Sequence, residues 1–298
     1  MKKKRFRILS LLLAAALLYG GGRTVYNMIE SRKSAQLYDQ ALQIAMGNSA
    51  QPEVPAELAP AEPTEEPEEA PAEPGAQTPT EDIPQEEEPE PVPVPDDPYI
   101  EELLTYDIPA LQEENEDVLG WIMIPDSNIS FPLLQWTDNE FYLNHSWQQT
   151  PNPSGSIFIE CQNSPDLTDY NTIIYGHNMN MMNMFGQLHN YRRSEYTESH
   201  PHVYVMIDSG VYRYDVFAVQ RARTDSPIYG LELDTELKKA EMLRYSLDYS
   251  IIQTDLVPTI ENRLLTLSTC SGQGYTTRWV VQFVLNEEAS YFPLEPLY

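Results

Sequence analysis

From about residue 100 onward, apolar positions cluster into short runs separated by turn-forming residues. Eight runs read as strands: Gly120–Ile124, Phe131–Gln135, Ser156–Glu160, Thr172–Tyr175, Val203–Ile207, Val211–Arg223, Leu264–Thr269 and Trp279–Leu285. They are rich in Val, Ile, Tyr and Phe and bounded by Asn, Asp, Ser, Gly and Pro, which is the strand signature. The long run from Val211 alternates imperfectly, as a half-buried strand does, and Asp208-Ser-Gly210 before it has the composition of a hairpin turn. Eight such runs fit a closed barrel, which leaves no exposed edge. Helix signals fall at Ile100–Thr105, Ile108–Glu114 and, most strongly, Asp234–Leu247. There Asp234 is the expected N-cap, and Leu237, Met242, Leu243 and Leu247 the expected packing stripe. The expected fold class is therefore mainly β. It is a barrel of about eight strands with N-terminal helices and one helix in the connection before the Leu264 strand.

Upstream the pattern changes twice. Residues 1–7 carry five basic side chains, and an apolar run follows from Ile8. Positive charge before an apolar run predicts a cytoplasmic N-terminus and a single-pass signal anchor over 8–29. The unbroken run before Arg23 is shorter than the ~20 residues of a spanning helix, so a cleaved signal peptide is the alternative. The anchor is favoured because Arg23 can snorkel and no small-x-small cleavage site follows. Residues 30–46 read as a juxtamembrane helix. Residues 47–98 read as a tether: 51–100 hold 14 of the 25 prolines, 16 acidic residues and no Lys or Arg. Such a segment buries too little apolar surface to offset its ordering entropy and favours extended polyproline II. Residues 99–298 then form one globular domain, large enough for a real core.

The formal net charge is −28, and the chain after residue 100 is still strongly acidic. Nucleic-acid binding needs a basic footprint and is disfavoured. No Cys/His cluster at ligand spacing and no glycine-rich phosphate loop is present, so neither a metal nor a cofactor is expected. In an extracytoplasmic domain two cysteines raise the question of a bridge. Cys161, which follows the Ser156 run, reads more simply as a strand-end residue than as the partner of Cys270.

Chemistry concentrates at three positions. Cys270 ends an apolar run, a polar loop follows, and Arg278 opens the next run. A thiol beside a fixed cation is favoured as the reactive thiolate, and a guanidinium there is placed to bind an oxyanion. His177 ends the run Thr172–Tyr175 after Gly176, at a strand end where an imidazole exchanges protons yet stays aimed. The other histidines, His145, His189, His200 and His202, lie in polar, loop-like surroundings.

Thr266–Cys270 with Arg278 after it, and Tyr175–Met179 before it, resemble the signature of sortases, membrane-anchored cysteine transpeptidases of Gram-positive bacteria. Leu111–Ile124, Asp138–His145, Gly155–Ile159 and Met184–Leu188 resemble the blocks of class B. The resemblance covers roughly residues 100–286. Departures are Ser271, where several relatives carry an acid, and Cys161, where many carry Asp. The resemblance implies that Cys270 attacks the threonine carbonyl of a C-terminal sorting motif on a surface protein. Arg278 stabilises the oxyanion or holds the substrate backbone, and His177 protonates the leaving amine. A cell-wall precursor amine then takes the acyl chain. It further implies substrate contacts at Asn139, Leu143, Ser268, Thr269 (through its backbone N–H) and Tyr229, and a catalytic domain on the outer face of the membrane. Two rivals stand beside it. A cell-wall cysteine peptidase of papain type carries its cysteine before its histidine, the reverse of the order here. A non-catalytic display module on a degenerate fold would be expected to have lost one of the three groups.

Overall fold

The computed structural model describes residues 29–30, 32–47, 92–179, 184–270 and 276–298. The expected membrane segment and nearly all of the tether lie outside them. Among the described residues no helix is long and apolar enough to cross a membrane.

Eight strands close into a barrel: β1 Val118–Met123, β2 Ser130–Leu134, β3 Ile157–Ile159, β4 Asn171–Tyr175, β5 His202–Ile207, β6 Gly210–Arg223, β7 Leu264–Cys270 and β8 Thr277–Leu285. Around the barrel their order is β1-β2-β3-β4-β7-β8-β6-β5. The β2–β3 and β4–β7 pairs are parallel and the others antiparallel. Every expected strand is present, with no end moved by more than two residues. Inside the barrel Trp121, Phe158, Leu265, Leu267, Trp279, Val281 and Phe283 belong to one apolar core. Burial of each large side chain contributes about 1.5–3 kcal/mol.

Helix α1 spans 32–45, α2 Pro98–Leu103, α3 Ile108–Glu114, α4 Ser194–Ser199 and α5 Glu236–Tyr249. Asp97 caps α2, accepting from the Tyr99 N–H at 3.0 Å and from the Tyr204 hydroxyl at 2.8 Å. The chain leaving the Pro/Glu-rich segment is thereby pinned to β5. Helix α1 packs on the barrel too: Tyr38, Ala41 and Ala45 are buried, and the Tyr38 ring meets Phe131 edge-on at 5.2 Å.

Helix α5 covers the outer face of β6, β7 and β8. A bulge in β6 between Val216 and Ala218 breaks the alternation, so Phe217 and Ala218 both join Met242, Leu243, Leu264 and Val284 in a second core. Two expectations for this helix need correction. The N-cap is Thr235, whose hydroxyl accepts from the Lys238 N–H at 3.3 Å, while Asp234 pairs with the Lys238 ammonium at 2.8 Å. Leu237 is 79% exposed, because five residues of helix rotate it about 140° from Met242. Ser246 takes a place on the buried face instead.

A 3-10 run, Phe185–Arg192, and the short α4 were not anticipated from the sequence. They close the region beyond His177, and the Trp279 indole donates to the Leu188 carbonyl at 2.7 Å.

Candidate active site

Strand register brings the three chemical positions together. β4 and β7 run parallel with Tyr175 opposite Ser268, and the Gly176 N–H extends the ladder to the Ser268 carbonyl at 3.2 Å. His177 follows Tyr175 by two residues as Cys270 follows Ser268, so both lie at the same end of the parallel β4–β7 pair. On the other side of β7, Cys270 pairs directly with Arg278 of β8. Neighbouring strands lie about 4.8 Å apart, so the three backbones occupy one rim of the barrel within roughly 10 Å.

His177 is held by its environment. Its Nε2 lies 2.7 Å from the Leu143 carbonyl. A carbonyl only accepts, so Nε2 carries hydrogen and proton exchange falls to Nδ1. Leu143 ends the 3-10 turn Phe141–Leu143. Behind the ring sits Gly155, with φ +58°; a Cβ there would come 2.7 Å from the Leu143 oxygen and 3.0 Å from His177 Cδ2. Gly176, just before the histidine, is equally tight: a Cβ would meet Ile157 Cδ1 at 2.4 Å. The His177 carbonyl accepts from the Phe185 N–H at 3.0 Å, which fixes the backbone beyond the ring.

Arg278 is part-exposed, and one guanidinium N–H donates to the Thr277 carbonyl at 3.3 Å. Its charge reaches the Tyr175 hydroxyl. Burial, and after it Glu160, push the Tyr175 pKa up, while Arg278 opposes them. Tyr175 donates to Glu160 Oε2 at 2.8 Å, and Asn139 Nδ2 donates to Oε1 at 2.6 Å. A buried carboxylate is thus satisfied by two residues beside the rim.

The expected substrate contacts fare unequally. The Asn139 amide is engaged internally, by Glu160 and by the Cys161 N–H at 2.8 Å. Leu143 supplies the carbonyl that orients His177. Ser268 is buried, with its hydroxyl 2.8 Å from that of Tyr229 in the turn Pro227–Tyr229. The Thr269 side chain is buried on the core face shared with Leu265 and Leu267, and its backbone is paired with Trp279 across β7 and β8, so the expected contact through its N–H is not supported. A cleft lined by Gln162, Ser226, Tyr229, Leu231 and Leu233 opens next to this turn.

Cys161 is a free thiol, so no bridge joins it to Cys270. The remaining histidines are otherwise engaged. His145 stacks on Phe141, His189 on Trp279 and His200 on Tyr196. His202 is not in a loop; it opens β5 and bonds Asp215 at 2.6 Å. Among the described residues no group of His, Cys, Asp or Glu side chains is arranged to hold a metal. Glu160, Tyr175 and Gly155 were expected as members of strands or motifs, with no role at the site. An acid closing an apolar strand run was the available signal for Glu160; Gly155 carried none.

A closed eight-stranded barrel with an outer helix, carrying Cys270 paired with Arg278 on β7 and β8 and His177 just beyond β4, has the make-up of a cysteine transpeptidase. The Sortase domain family model matches residues 122–286, and the chain belongs to the sortase family. Its relatives place it in class B. It is 35% identical over 165 residues to sortase B of Listeria monocytogenes, covering 55% of this chain and 66% of that protein. It is 28% identical over 173 residues to sortase B of Staphylococcus aureus, covering 58% and 71%. The solved Staphylococcus aureus sortase B–substrate complex superposes with a TM-score of 0.57 at 28% identity, over 60% of this chain and 83% of that one.

Proposed function

We propose that this sortase cleaves a C-terminal sorting motif of the Asn- or Ser-Pro-x-Thr type on surface proteins and transfers the chain to an amine of the cell-wall precursor. The observation that supports the reading is the direct pairing of Cys270 with Arg278, with His177 just beyond the neighbouring end of β4. The Cys270 thiolate adds to the threonine carbonyl carbon, and the oxygen becomes an oxyanion facing the Arg278 guanidinium. Collapse of the adduct breaks the C–N bond, and the amine leaves with a proton from His177 Nδ1. The thioester so formed splits one hard step into two easier ones. An acceptor amine then attacks, returns its proton to His177 and releases Cys270. The carbonyl of Leu143, bonded to Nε2–H, supports the imidazolium before it protonates the leaving amine and again after it takes the acceptor's proton. Tyr229 and Ser268 line the approach. The basic, apolar N-terminus holds the enzyme in the membrane with its barrel on the wall side.

A quenched sorting peptide with and without hydroxylamine tests this. Cleavage stimulated by hydroxylamine and abolished in Cys270→Ala is the expected result. Binding without turnover by the intact chain would overturn it.

A further inference from the structure

Helix α1 reaches, across the long Pro/Glu-rich segment, the loop that holds His177. Its side chains bond that loop at several points. The Tyr38 hydroxyl donates to the Gly155 carbonyl and lies 3.1 Å from Ser156 Oγ. Ser34 Oγ donates to Asn152 Oδ1 at 2.8 Å, and the Trp147 indole donates to the Leu37 carbonyl at 3.0 Å. The Tyr38 ring is only 5% exposed and is wedged on Phe131. Burial pushes its hydroxyl pKa up, which keeps it a donor. The Gly155 backbone runs close behind both groups that set the imidazole: a Cβ there would come 2.7 Å from the Leu143 oxygen and 3.0 Å from His177 Cδ2. The Leu143 carbonyl is the acceptor of Nε2–H.

We infer that Tyr38 is a positioning residue for His177, acting through the Gly155 carbonyl, so that the helix preceding the Pro/Glu-rich segment completes the active site from behind. The inference rests on the transpeptidase reading for the role of His177, and on the contacts alone for the mechanical link. The hydroxyl fixes the Gly155 carbonyl, and with it the backbone that passes close behind the Leu143 carbonyl and the ring edge; without it, that segment can shift and the imidazole loses its fixed setting. A positioning loss of this kind lowers turnover more than substrate binding. It also weakens the bond that favours the imidazolium, so the His177 pKa falls.

The test uses the full chain in detergent, with Tyr38→Phe, which keeps the ring and removes one oxygen. Expected are a kcat lowered about 5- to 50-fold with KM within about twofold, and an imidazole limb of the pH–rate profile displaced to lower pH. Ser34→Ala removes a bond of the same helix and leaves Tyr38 in place. It is expected to lower the urea midpoint without moving that limb. Alkylation of Cys270 as a function of pH, read by peptide mass, needs no turnover and separates this inference from the function. If the wild type fails to cleave sorting peptides, the function falls, and the alkylation profile alone decides here. A displaced profile in Tyr38→Phe supports the link. Coincident profiles, equal displacement in Ser34→Ala, or a loss of stability with unchanged kcat and pH limb would each overturn it.

Discussion

Asn171→Ala tests how the region around Tyr229 is built. Asn171 is 3% exposed at the start of β4. Its Oδ1 accepts from Thr266 Oγ1 at 2.7 Å, and its Nδ2 donates to the Ile228 carbonyl at 3.1 Å. Thr266 accepts from Gln282 at 3.2 Å, and Gln282 accepts from Gln220 at 3.0 Å. This ladder runs beneath α5, out of reach of water. Removing the amide strands the Ile228 carbonyl entirely and costs Thr266 its acceptor. A buried polar group left unsatisfied costs about 1–3 kcal/mol, so the pair is worth roughly 2–6 kcal/mol. In a domain of this size that lowers the melting temperature by about 2–4 °C per kcal/mol. Urea denaturation with an unchanged slope measures it. Ile228 precedes Tyr229, so the same variant should raise KM for a sorting peptide while leaving the alkylation rate of Cys270 nearly intact. Asn171→Asp sharpens the reasoning. It keeps an acceptor for Thr266 but sets a carboxylate oxygen against the Ile228 carbonyl. It should be less stable than Asn171→Ala at neutral pH and recover on acidification, when the protonated acid donates. A cost below about 0.5 kcal/mol for the alanine variant, the size of an ordinary surface change, or no pH dependence for the aspartate, would refute the ladder.

Two further outcomes follow from titrating groups. Burial acts to raise the Asp215 carboxyl pKa, but bonds from His202 and Asn286 and the charge of Arg213 outweigh it, and the group titrates below its usual range. A depressed carboxylate contributes stability above the ordinary Asp value of about 3.9 and loses it as pH falls through its own lower pKa. The gap in urea midpoint between wild type and Asp215→Asn should therefore narrow below about pH 4; a gap constant with pH would contradict this. Burial first, then a hydrogen bond and charge from Glu160, push the Cys161 thiol up. In Cys270→Ala, iodoacetamide should label Cys161 with a pH midpoint above the ordinary thiol value of about 8.5, and a midpoint at or below it would count against the assigned surroundings.

The strands were legible because each is a dense β-branched or aromatic run bounded by turn residues, and burial on a barrel wall demands that pattern. The helix before β7 was legible in extent but not in its cap or buried face. Thr and Asp both cap, and which side of a helix is covered depends on the neighbour it meets. The bulge at Phe217 shows the same limit, since it turns two successive residues toward one partner.

Residue type and order by themselves determined the element list, the acidity that disfavours nucleic acid, and the choice of Cys270, His177 and Arg278 as chemical candidates. Which strands become neighbours was decided only by folding. Periodicity tells a strand which face to bury and not whom to pair with, so the parallel register that sets His177 and Cys270 at one end of the β4–β7 pair is a property of barrel closure. The same holds for Glu160 beneath Tyr175 and for Tyr38 behind Gly155. Each pair is separated along the chain and joined by one hydrogen bond, and such a contact leaves no trace in local sequence because it depends on three-dimensional proximity alone.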